Sequence, residues 1–276
     1  MILDGHIHIH GRSEGRTELL GRLRAAGVDG GVLISESPAC FHGGERTCSN
    51  VERLDDLLAW AAIGPGLYPF YWIDPLEQDA ADQVEMALGR GVSGYKVICD
   101  HYYPGDERAM ATFRAIARVG KPILFHSGIL WDGKPSSMYN RPAGFEALLD
   151  VEGLRFCLAH ISWPWCDELI AVYGKFLNAH RSRPGLSVEM FIDITPGTPP
   201  IYRKEALTKL FTVGYDVEHN VIFGSDCRAN DYHVDSVRRW LQRDREILSQ
   251  LDLAPETIDD VYGGNLMRFL GIPSGG

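Results

Sequence analysis

The feature that most restricts the fold of this chain is a repeated alternation of two hydrophobic patterns. Short apolar runs rich in β-branched or aromatic residues recur, and a segment with helical periodicity follows each of them. Repetition of this kind predicts an α/β protein with a parallel sheet, either a (β/α)8 TIM barrel or a doubly wound sheet. We favour the barrel because the predicted strands number eight: Ile2–His8, Gly31–Ser35, Leu67–Trp72, Ser93–Cys99, Pro122–Ser127, Leu154–His160, Ser187–Ile194 and Val221–Asp226.

Helices are predicted between these strands, and glycines such as Gly27 and Gly120 mark the ends of several of them because glycine accepts the left-handed cap conformation. Short extra helices are expected in the C-terminal tail. No long linker or change of composition divides the chain, and α/β barrels reach about 250 residues, so we expect one barrel domain over residues 1–276. The predicted helices are Glu14–Ala26, Val51–Ile63, Leu76–Leu88, Arg108–Val119, Pro142–Leu149, Trp165–Ala179, Ala206–Val213 and Val234–Leu251.

Composition excludes several classes of function. Hydrophobic residues make up 45% of the chain and charged residues 23%, which suits a folded domain with a substantial core. The net charge of −10 provides no general positive field for nucleic acid or anionic lipid. The longest apolar run, Leu57–Ile63, is far shorter than the roughly 20 residues that cross a bilayer. We therefore expect a soluble protein without a nucleic-acid or membrane partner.

The cysteines indicate a compartment. Six are scattered through the chain without a CxxC pair, which is typical of the reducing cytosol. The first residues show no basic start, apolar stretch and small-residue cleavage site, so we expect no export signal and a cytoplasmic location.

Familiar nucleotide and hydrolase motifs are missing or misplaced. The glycines of Gly89–Gly94 match GxGxxG but precede a strand, whereas a dinucleotide site needs them after one. The GxxxxGK of Gly128–Lys134 lacks the following Ser or Thr, and neither GxSxG nor HExxH occurs. Cys40, His42 and Cys48 offer a weak metal set after strand two, for which an ordinary loop is the simpler interpretation.

The first predicted strand carries two histidines in alternation. In Asp4-Gly5-His6-Ile7-His8, His6 and His8 point to the same face, about 6.6 Å apart along the strand. Such a pair can chelate one metal ion. Taken alone, two buried histidines that satisfy backbone partners explain the pattern as well.

Three further polar residues stand where apolar runs end, namely His126, His160 and Asp226. Burying such groups costs several kcal/mol each unless something pairs with them, and one divalent ion would satisfy them together. The C-terminal ends of barrel strands meet at one mouth, where catalytic residues of this fold assemble. These residues therefore predict a metal centre at the barrel mouth.

With these residues in place, the chain resembles the amidohydrolase superfamily, specifically its amidohydrolase-2 branch of metal-dependent barrel hydrolases and decarboxylases. The resemblance covers nearly the full length, and the closing Gly264–Leu270 resembles the usual ending of the branch. It rests on Asp4–His8, Gly94-Tyr95-Lys96, Phe125-His126-Ser127, Ala159-His160 and Gly224-Ser225-Asp226.

The resemblance implies a ligand set. His6, His8, His126 and Asp226 are the expected ligands of a single Zn2+, and His160 is expected to touch water or substrate. Lys96 occupies the position that binuclear relatives carboxylate, in which case His160 would ligate a second ion. We favour one zinc because the branch is mostly mononuclear; two ions, or another divalent metal, remain open. Lys96 is then a structural or substrate-facing cation, or a lysine that extends its amine from the strand end.

The expected chemistry is hydrolysis. Zinc acidifies bound water toward a pKa of about 7, so that hydroxide is available at neutral pH. Asp226 is the candidate general base, and His160 would steady the developing oxyanion or act as an acid. The substrate is expected to be a small carboxylate-bearing amide, ester or lactone. A decarboxylase or hydratase on the same site is the alternative, and a non-catalytic metal-binding protein is a third class.

Loop residues after the strands are expected to wall the mouth. Lys96, Tyr102, Trp131 and Arg228 are the candidate substrate-binding residues, because aromatic faces and cations suit an aromatic or sugar-like carboxylate. The aromatic residues could equally be packing at the barrel rim. On strand seven, Glu189 and Asp193 share a face, and one of them is expected to hydrogen-bond a ligand histidine or a barrel lysine. A homo-oligomer is left open by the sequence.

Overall fold

The computed structural model describes residues 1–10, 15–42 and 48–273, with only the backbone at Cys40 and His42. Glu14 of the first predicted helix, and the side chains of Cys40 and His42, lie outside the described part. All neighbouring strands of the single sheet pair in parallel, in the order β8-β7-β6-β5-β4-β3-β2-β1-β9. This confirms the predicted α/β barrel. The strands are β1 (Leu3–His8), β2 (Gly30–Ile34), β3 (Leu67–Trp72), β4 (Gly94–Val97), β5 (Ile123–Phe125), β6 (Arg155–Leu158), β7 (Glu189–Asp193), β8 (Val221–Ile222) and β9 (Cys227–Arg228).

The two ends of the sheet belong to one short stretch of chain. Strand β8 pairs with β7, and β9 pairs with β1. Between them, the carbonyl of Phe223 accepts a hydrogen bond from Gly5 N at 2.9 Å, and Asp226 N donates to the carbonyl of His6 at 2.9 Å. The sheet therefore closes on itself through residues 221–228. The predicted continuous strand Val221–Asp226 is wrong in this detail, because Asp226 has a φ of 59° and breaks the extended backbone.

Helices cover the outside of the sheet and begin or end within a few residues of most predicted positions. Helix α2 begins at Asn50, one residue before the predicted start at Val51, because Ser49 and Glu52 form a reciprocal capping box. The predicted helix Pro142–Leu149 is instead a 3-10 helix over Pro142–Asp150, and a π-helical turn spans Asp260–Gly264. The α-helices are α1 (Leu19–Ala26), α2 (Asn50–Ala61), α3 (Ala80–Gly89), α4 (Glu107–Arg118), α5 (Cys166–Ser182), α6 (Pro200–Thr212), α7 (Val234–Leu248), α8 (Pro255–Asp259) and α9 (Asn265–Leu270).

Two apolar clusters show which way each strand residue faces. On β2, Leu33 belongs to the larger cluster, which includes residues of the surrounding helices, while Val32 and Ile34 belong to the smaller one. The smaller cluster fills the barrel interior, and α9 contributes Phe269 to it. Side chains that alternate with the larger cluster therefore point inward. No helix within the described ranges combines the length and apolar character needed to span a bilayer.

Candidate active site

A cavity of about 750 Å³ opens at the C-terminal ends of the strands. This is a size typical of small-molecule sites. Its floor and walls include nearly all of the residues predicted for the site, which come from six different strands or the loops after them. They are His6, His8, Lys96, His126, Trp131, His160, Asp226 and Arg228.

The two histidines of β1 face one another across the cavity floor. Their Nε2 atoms are 3.1 Å apart, and Asp226 Oδ1 lies 3.7 Å from Nε2 of His6 and 3.5 Å from Nε2 of His8. His6 contacts Asp193 Oδ2 through Nδ1 at 2.7 Å. Because Nδ1 donates to this carboxylate, Nε2 of His6 carries a lone pair directed into the site.

Two more imidazoles adjoin this pair. The ring of His160 lies 5.2 Å from that of His6 and 4.9 Å from that of His126. One ligand atom each from His6, His160 and Asp226 fall within 4.8 Å of one another. His126 instead directs Nε2 toward the carbonyl of Ile129 at 3.2 Å, which leaves Nδ1 as its lone-pair nitrogen.

Lys96 reaches the same floor from β4. Its neighbours Tyr95 and Val97 pack in the outer apolar cluster, so Lys96 points into the barrel, where it is fully buried. Its Nζ lies 3.4 Å from Nε2 of His6. Burial lowers the pKa of the Lys96 ammonium, and the nearby carboxylates of Asp193 and Asp226 oppose that shift.

Burial keeps the imidazoles neutral. It is the main cause that lowers the pKa of His6, His8 and His160 well below the usual range, and it lowers the pKa of His126 to about 3. Burial also raises the pKa of the Asp226 carboxyl, although the side chain still presents 40% of its surface to the cavity. Neutral imidazole is the form that binds metal, so the histidines are in the ligating state at neutral pH.

The backbone at the site takes an unusual conformation. His160, Ile161 and Ser162 have consecutive φ values of 61°, 44° and 52° in the left-handed region, which is costly for side chains other than glycine. The Ser162 hydroxyl is bonded to that of Ser127 at 2.6 Å, and Ser127 also donates to the carbonyl of Asn140. These contacts hold the turn that directs His160 into the cavity.

Asp4 joins the two segments that carry ligand candidates. Its Oδ1 accepts from His6 N at 3.0 Å and from Ser225 N at 2.8 Å, and its Oδ2 accepts from the Tyr232 hydroxyl at 2.8 Å. Burial raises the pKa of Asp4 to about 6. The buried carboxylate therefore fixes the distance between β1 and the turn at Asp226.

Of the residues predicted to bind substrate, most line the cavity, but one does not. Trp131 is 81% exposed and Arg228 is also exposed, and both line the cavity. Tyr102 is buried and does not line the cavity; its hydroxyl donates to the carbonyl of Ile98 at 3.3 Å. The structure thus places Tyr102 behind the wall rather than on it.

Among the lining residues that sequence reasoning missed, two are aromatic. Trp72 forms an edge contact with His8 at 5.9 Å between ring centroids, and Phe41 packs on Trp72 at 4.9 Å. Trp72 is the last residue of predicted strand three, so its position at the strand end was a usable signal. Phe41 lies in a short 3-10 helix, Ala39–His42, which the sequence did not predict, and gave no such signal.

The donor set fits a divalent cation. Two imidazole nitrogens in contact at 3.1 Å, with a carboxylate oxygen beside both, concentrate lone pairs at one point. Neutral imidazole and carboxylate are ligands that zinc accepts. The Asp193 contact to His6 Nδ1 is the usual support for a metal-binding histidine.

Fold and site together define a parallel α/β barrel with a cluster of histidines and a carboxylate at its mouth. The family model described as amidohydrolase, of the amidohydrolase-2 type, matches residues 37–272. The chain therefore belongs to the amidohydrolase family and is an enzyme of the amidohydrolase type. None of the curated proteins that were compared matches the sequence.

Solved structures resemble the whole fold at low sequence identity. A probable 2-pyrone-4,6-dicarboxylic acid hydrolase from Acinetobacter baumannii, with citric acid bound, has a TM-score of 0.66 at 11% identity over 98% of this chain and 99% of that one. A 2,6-dihydroxybenzoate decarboxylase from Rhizobium has a TM-score of 0.61 at 13% identity over 98% of both chains. A dihydroorotase from Campylobacter jejuni has a TM-score of 0.63 at 17% identity over 100% of this chain and 84% of that one. At such identities the likeness establishes the fold.

Proposed function

We propose that this protein is a zinc-dependent hydrolase of a small carboxylate-bearing amide, ester or lactone. The observation that carries the proposal is the meeting of the His6 and His8 Nε2 atoms beside the Asp226 carboxylate at the floor of an open cavity. A buried cluster that only stabilised the fold would not need an opening to solvent.

In this proposal His6, His8, His126 and Asp226 hold one zinc ion, with Nδ1 of His126 as its donor atom. A bound zinc supplies Lewis acidity, which acidifies water and polarises the scissile bond. His160 remains on the cavity side of the cluster. Its proximity to His6 and Asp226 favours a second assignment, in which His160 takes the place of His126 as ligand.

The chain's own residues then move protons and orient the substrate. Asp226 accepts a proton from the attacking water and passes it to the leaving group, since its carboxylate lines the cavity beside both histidines of β1. His160 lies within reach to donate a hydrogen bond to the developing oxyanion. Lys96 adds positive charge at the floor beside His6.

The cavity walls support an anionic, partly flat substrate. Trp72 and Phe41 provide aromatic surface on the side of His8, and Arg228 provides a guanidinium at the rim. Arginine pairs well with carboxylates, and aromatic walls bury rings. Two of the similar structures are named as a probable 2-pyrone-4,6-dicarboxylic acid hydrolase and a dihydroorotase, which agrees with the proposal.

Metal content per chain tests the site. One zinc in the wild type, lost in His126→Ala and retained in His160→Ala and Lys96→Ala, supports the proposed ligands. One zinc lost in His160→Ala but retained in His126→Ala supports the second assignment. Two ions, falling to one in Lys96→Ala, would contradict the mononuclear proposal, and no bound metal would overturn the function.

Product analysis separates hydrolysis from decarboxylation, the reaction named for one similar structure. Purified zinc-loaded protein is incubated with a panel of carboxylic acids that carry amide, ester or lactone bonds, in water enriched in oxygen-18. Heavy oxygen in the product without bicarbonate release supports the hydrolase. Bicarbonate release without cleavage by water would replace it with the decarboxylase.

The wider context is also part of the proposal. We place the enzyme in the cytosol, and the free thiols of Cys99, Cys157, Cys166 and Cys227 support a reducing compartment. Its partner is the small-molecule substrate. A homo-oligomer and a single domain over residues 1–276 stay predictions.

A further inference from the structure

A buried ion pair joins two helices beside the barrel mouth. Arg203 of α6 and Asp244 of α7 are both fully buried. Arg203 Nε donates to Asp244 Oδ1 at 2.9 Å, and Nη2 donates to Oδ2 at 2.6 Å. The guanidinium also lies over the Trp240 ring at 5.2 Å. The guanidinium of Arg203 is therefore held by the Asp244 carboxylate and by the Trp240 ring.

Stability alone does not account for a pair in this place. Desolvating two charges costs about as much as their attraction returns, so apolar residues of similar volume often serve as well. Within the described part of the chain, Nη1 of Arg203 is buried without a hydrogen-bond partner, which adds to the cost. A second role for the guanidinium would explain why it is there.

That role is visible in a third contact. Nη2 of Arg203 also donates to the carbonyl of Ile194 at 2.5 Å. Ile194 directly follows β7 and is the residue between Asp193 and Thr195. Thr195 donates to Asp193 Oδ1 through its backbone N at 2.5 Å and through its hydroxyl. The other oxygen of Asp193 holds Nδ1 of His6 at 2.7 Å.

We propose that Arg203 is a positioning residue for the metal site. Held by Asp244, it fixes the carbonyl of Ile194 and so the backbone turn that aims the Asp193 carboxylate at His6. The proposal rests on the proposed function, because it assigns Arg203 to the orientation of a zinc ligand. Arg203 does not line the cavity.

The first test is the zinc affinity of Arg203→Lys, measured by competition with a chromophoric chelator. Lysine keeps the charge but cannot span Asp244 and the Ile194 carbonyl with a planar fork. We expect the zinc Kd to rise about three- to tenfold, less than the 10- to 100-fold typical of a group that touches the ligand directly. An unchanged Kd would overturn the proposal.

A matched control separates positioning from loss of stability. Arg155 donates to the carbonyls of Phe269 and Gly120 at 3.0 and 2.9 Å, away from the cavity lining. Arg155→Lys therefore disturbs guanidinium contacts to backbone carbonyls without touching the path to His6. It is expected to lower the urea midpoint of the metal-free protein and to leave the zinc Kd unchanged. If the zinc Kd rises in both variants in proportion to the loss of stability, Arg203 has only a structural role and the proposal is wrong.

A double-mutant cycle tests the path itself. If Arg203 acts through Asp193, then Arg203→Lys has no further effect on zinc Kd in an Asp193→Asn background, whereas independent effects multiply. Multiplying effects would contradict the proposed path. Wild-type protein that binds zinc tightly, with an unaffected Arg203→Lys, overturns this inference alone; wild-type protein that binds no zinc overturns the proposed function with it.

Discussion

At the scale of single residues, the site depends on two kinds of side chain. Some face the cavity, and others are buried carboxylates that hold the first kind in position. Asp193 directs His6, and Asp4 ties the backbone of His6 to that of Ser225. Neither carboxylate needs to touch the ion. Errors of less than an ångström in ligand position are costly, so these supports are part of the metal site in energetic terms.

Asp193→Asn is expected to weaken zinc binding about 10- to 100-fold, because the amide no longer fixes the tautomer and orientation of His6. Isothermal titration or chelator competition measures the change. Glu189→Gln is the control on the same strand, since Glu189 accepts from Asn220 and Arg268 at the other end of β7. Equal losses of affinity in the two variants would contradict the assignment.

Zinc affinity is expected to depend on pH through Asp226. In the metal-free protein, burial raises the pKa of this carboxyl from 3.8 to about 7, while the histidines stay neutral because burial lowers their pKa. Below pH 7 the ion must displace a proton from Asp226, so affinity falls by up to about tenfold per pH unit; above pH 7 this dependence fades.

Calorimetry at pH 6 and pH 7.5, in buffers of different ionisation enthalpy, counts the protons released with zinc. The water that zinc acidifies also releases a proton as the pH rises, so the excess release of the wild type over Asp226→Asn isolates the carboxyl. This excess is expected to be greater at pH 6 than at pH 7.5. No excess at pH 6, or an excess that grows with pH, would assign the proton to another group.

Alternation along β1 was enough to predict that His6 and His8 share a face, and the position of His126, His160 and Asp226 after apolar runs was enough to place them at one mouth. The sequence could not show which of Glu189 and Asp193 hydrogen-bonds a ligand histidine. Both face the same way, but only Asp193 stands at the strand end nearest His6. Tyr102 was expected on the cavity wall, but the sequence could not show that its ring is buried and lies outside the lining.

At the scale of secondary-structure elements, the ligand-bearing strand depends on a close approach of backbones. A Cβ added at Gly31 of β2 would lie 2.1 Å from the carbonyl oxygen of Asp4 on β1. No side chain fits there unless the two strands separate. Glycine at this position is what lets β1 pair closely enough to bring His6 into the barrel.

Gly31→Ala is therefore expected to destabilise the protein by about 3 kcal/mol or more and to lower metal affinity, because separation of the strands moves β1. Gly89→Ala is the matched control. Gly89 ends α3 with nothing within 4 Å of an added Cβ, so alanine is expected to stabilise by up to about 1 kcal/mol. Urea unfolding measures both changes, and a Gly31→Ala variant as stable as the wild type would refute the close-approach argument.

Element types were predictable wherever periodicity was long. The capped segment after Ser49 and the apolar run Leu67–Trp72 were predicted to within two residues. Short segments were less predictable, because a 3-10 helix such as Pro142–Asp150 has nearly the same apolar spacing as an α-helix. The break at Asp226 was hidden as well, since a positive φ at a residue other than glycine leaves no pattern in the sequence.

At the scale of the whole molecule, the cavity floor brings together segments that are far apart in the sequence. His6 and Asp226 approach to 3.7 Å only because the barrel closes between β1 and the segment 221–228. An ion bound by both His6 and Asp226 would connect β1 to the segment 221–228. Metal binding and the stability of the barrel are therefore expected to be coupled.

Saturating zinc is expected to stabilise the folded protein, because the ligands are together only in the native state. At a free concentration 100 times the Kd, the gain is about 2.7 kcal/mol, which corresponds to a rise in Tm on the order of 5 °C. Removing the metal with a chelator reverses the rise in Tm.

The variant His8→Ala is expected to lose the rise in Tm, since one imidazole of the central pair is gone. The control Ser182→Ala, an exposed change on α5, is expected to keep it. A Tm that does not respond to zinc in the wild type would show that no ion links the two ends of the sheet, and a full shift in His8→Ala would show that His8 is not a ligand.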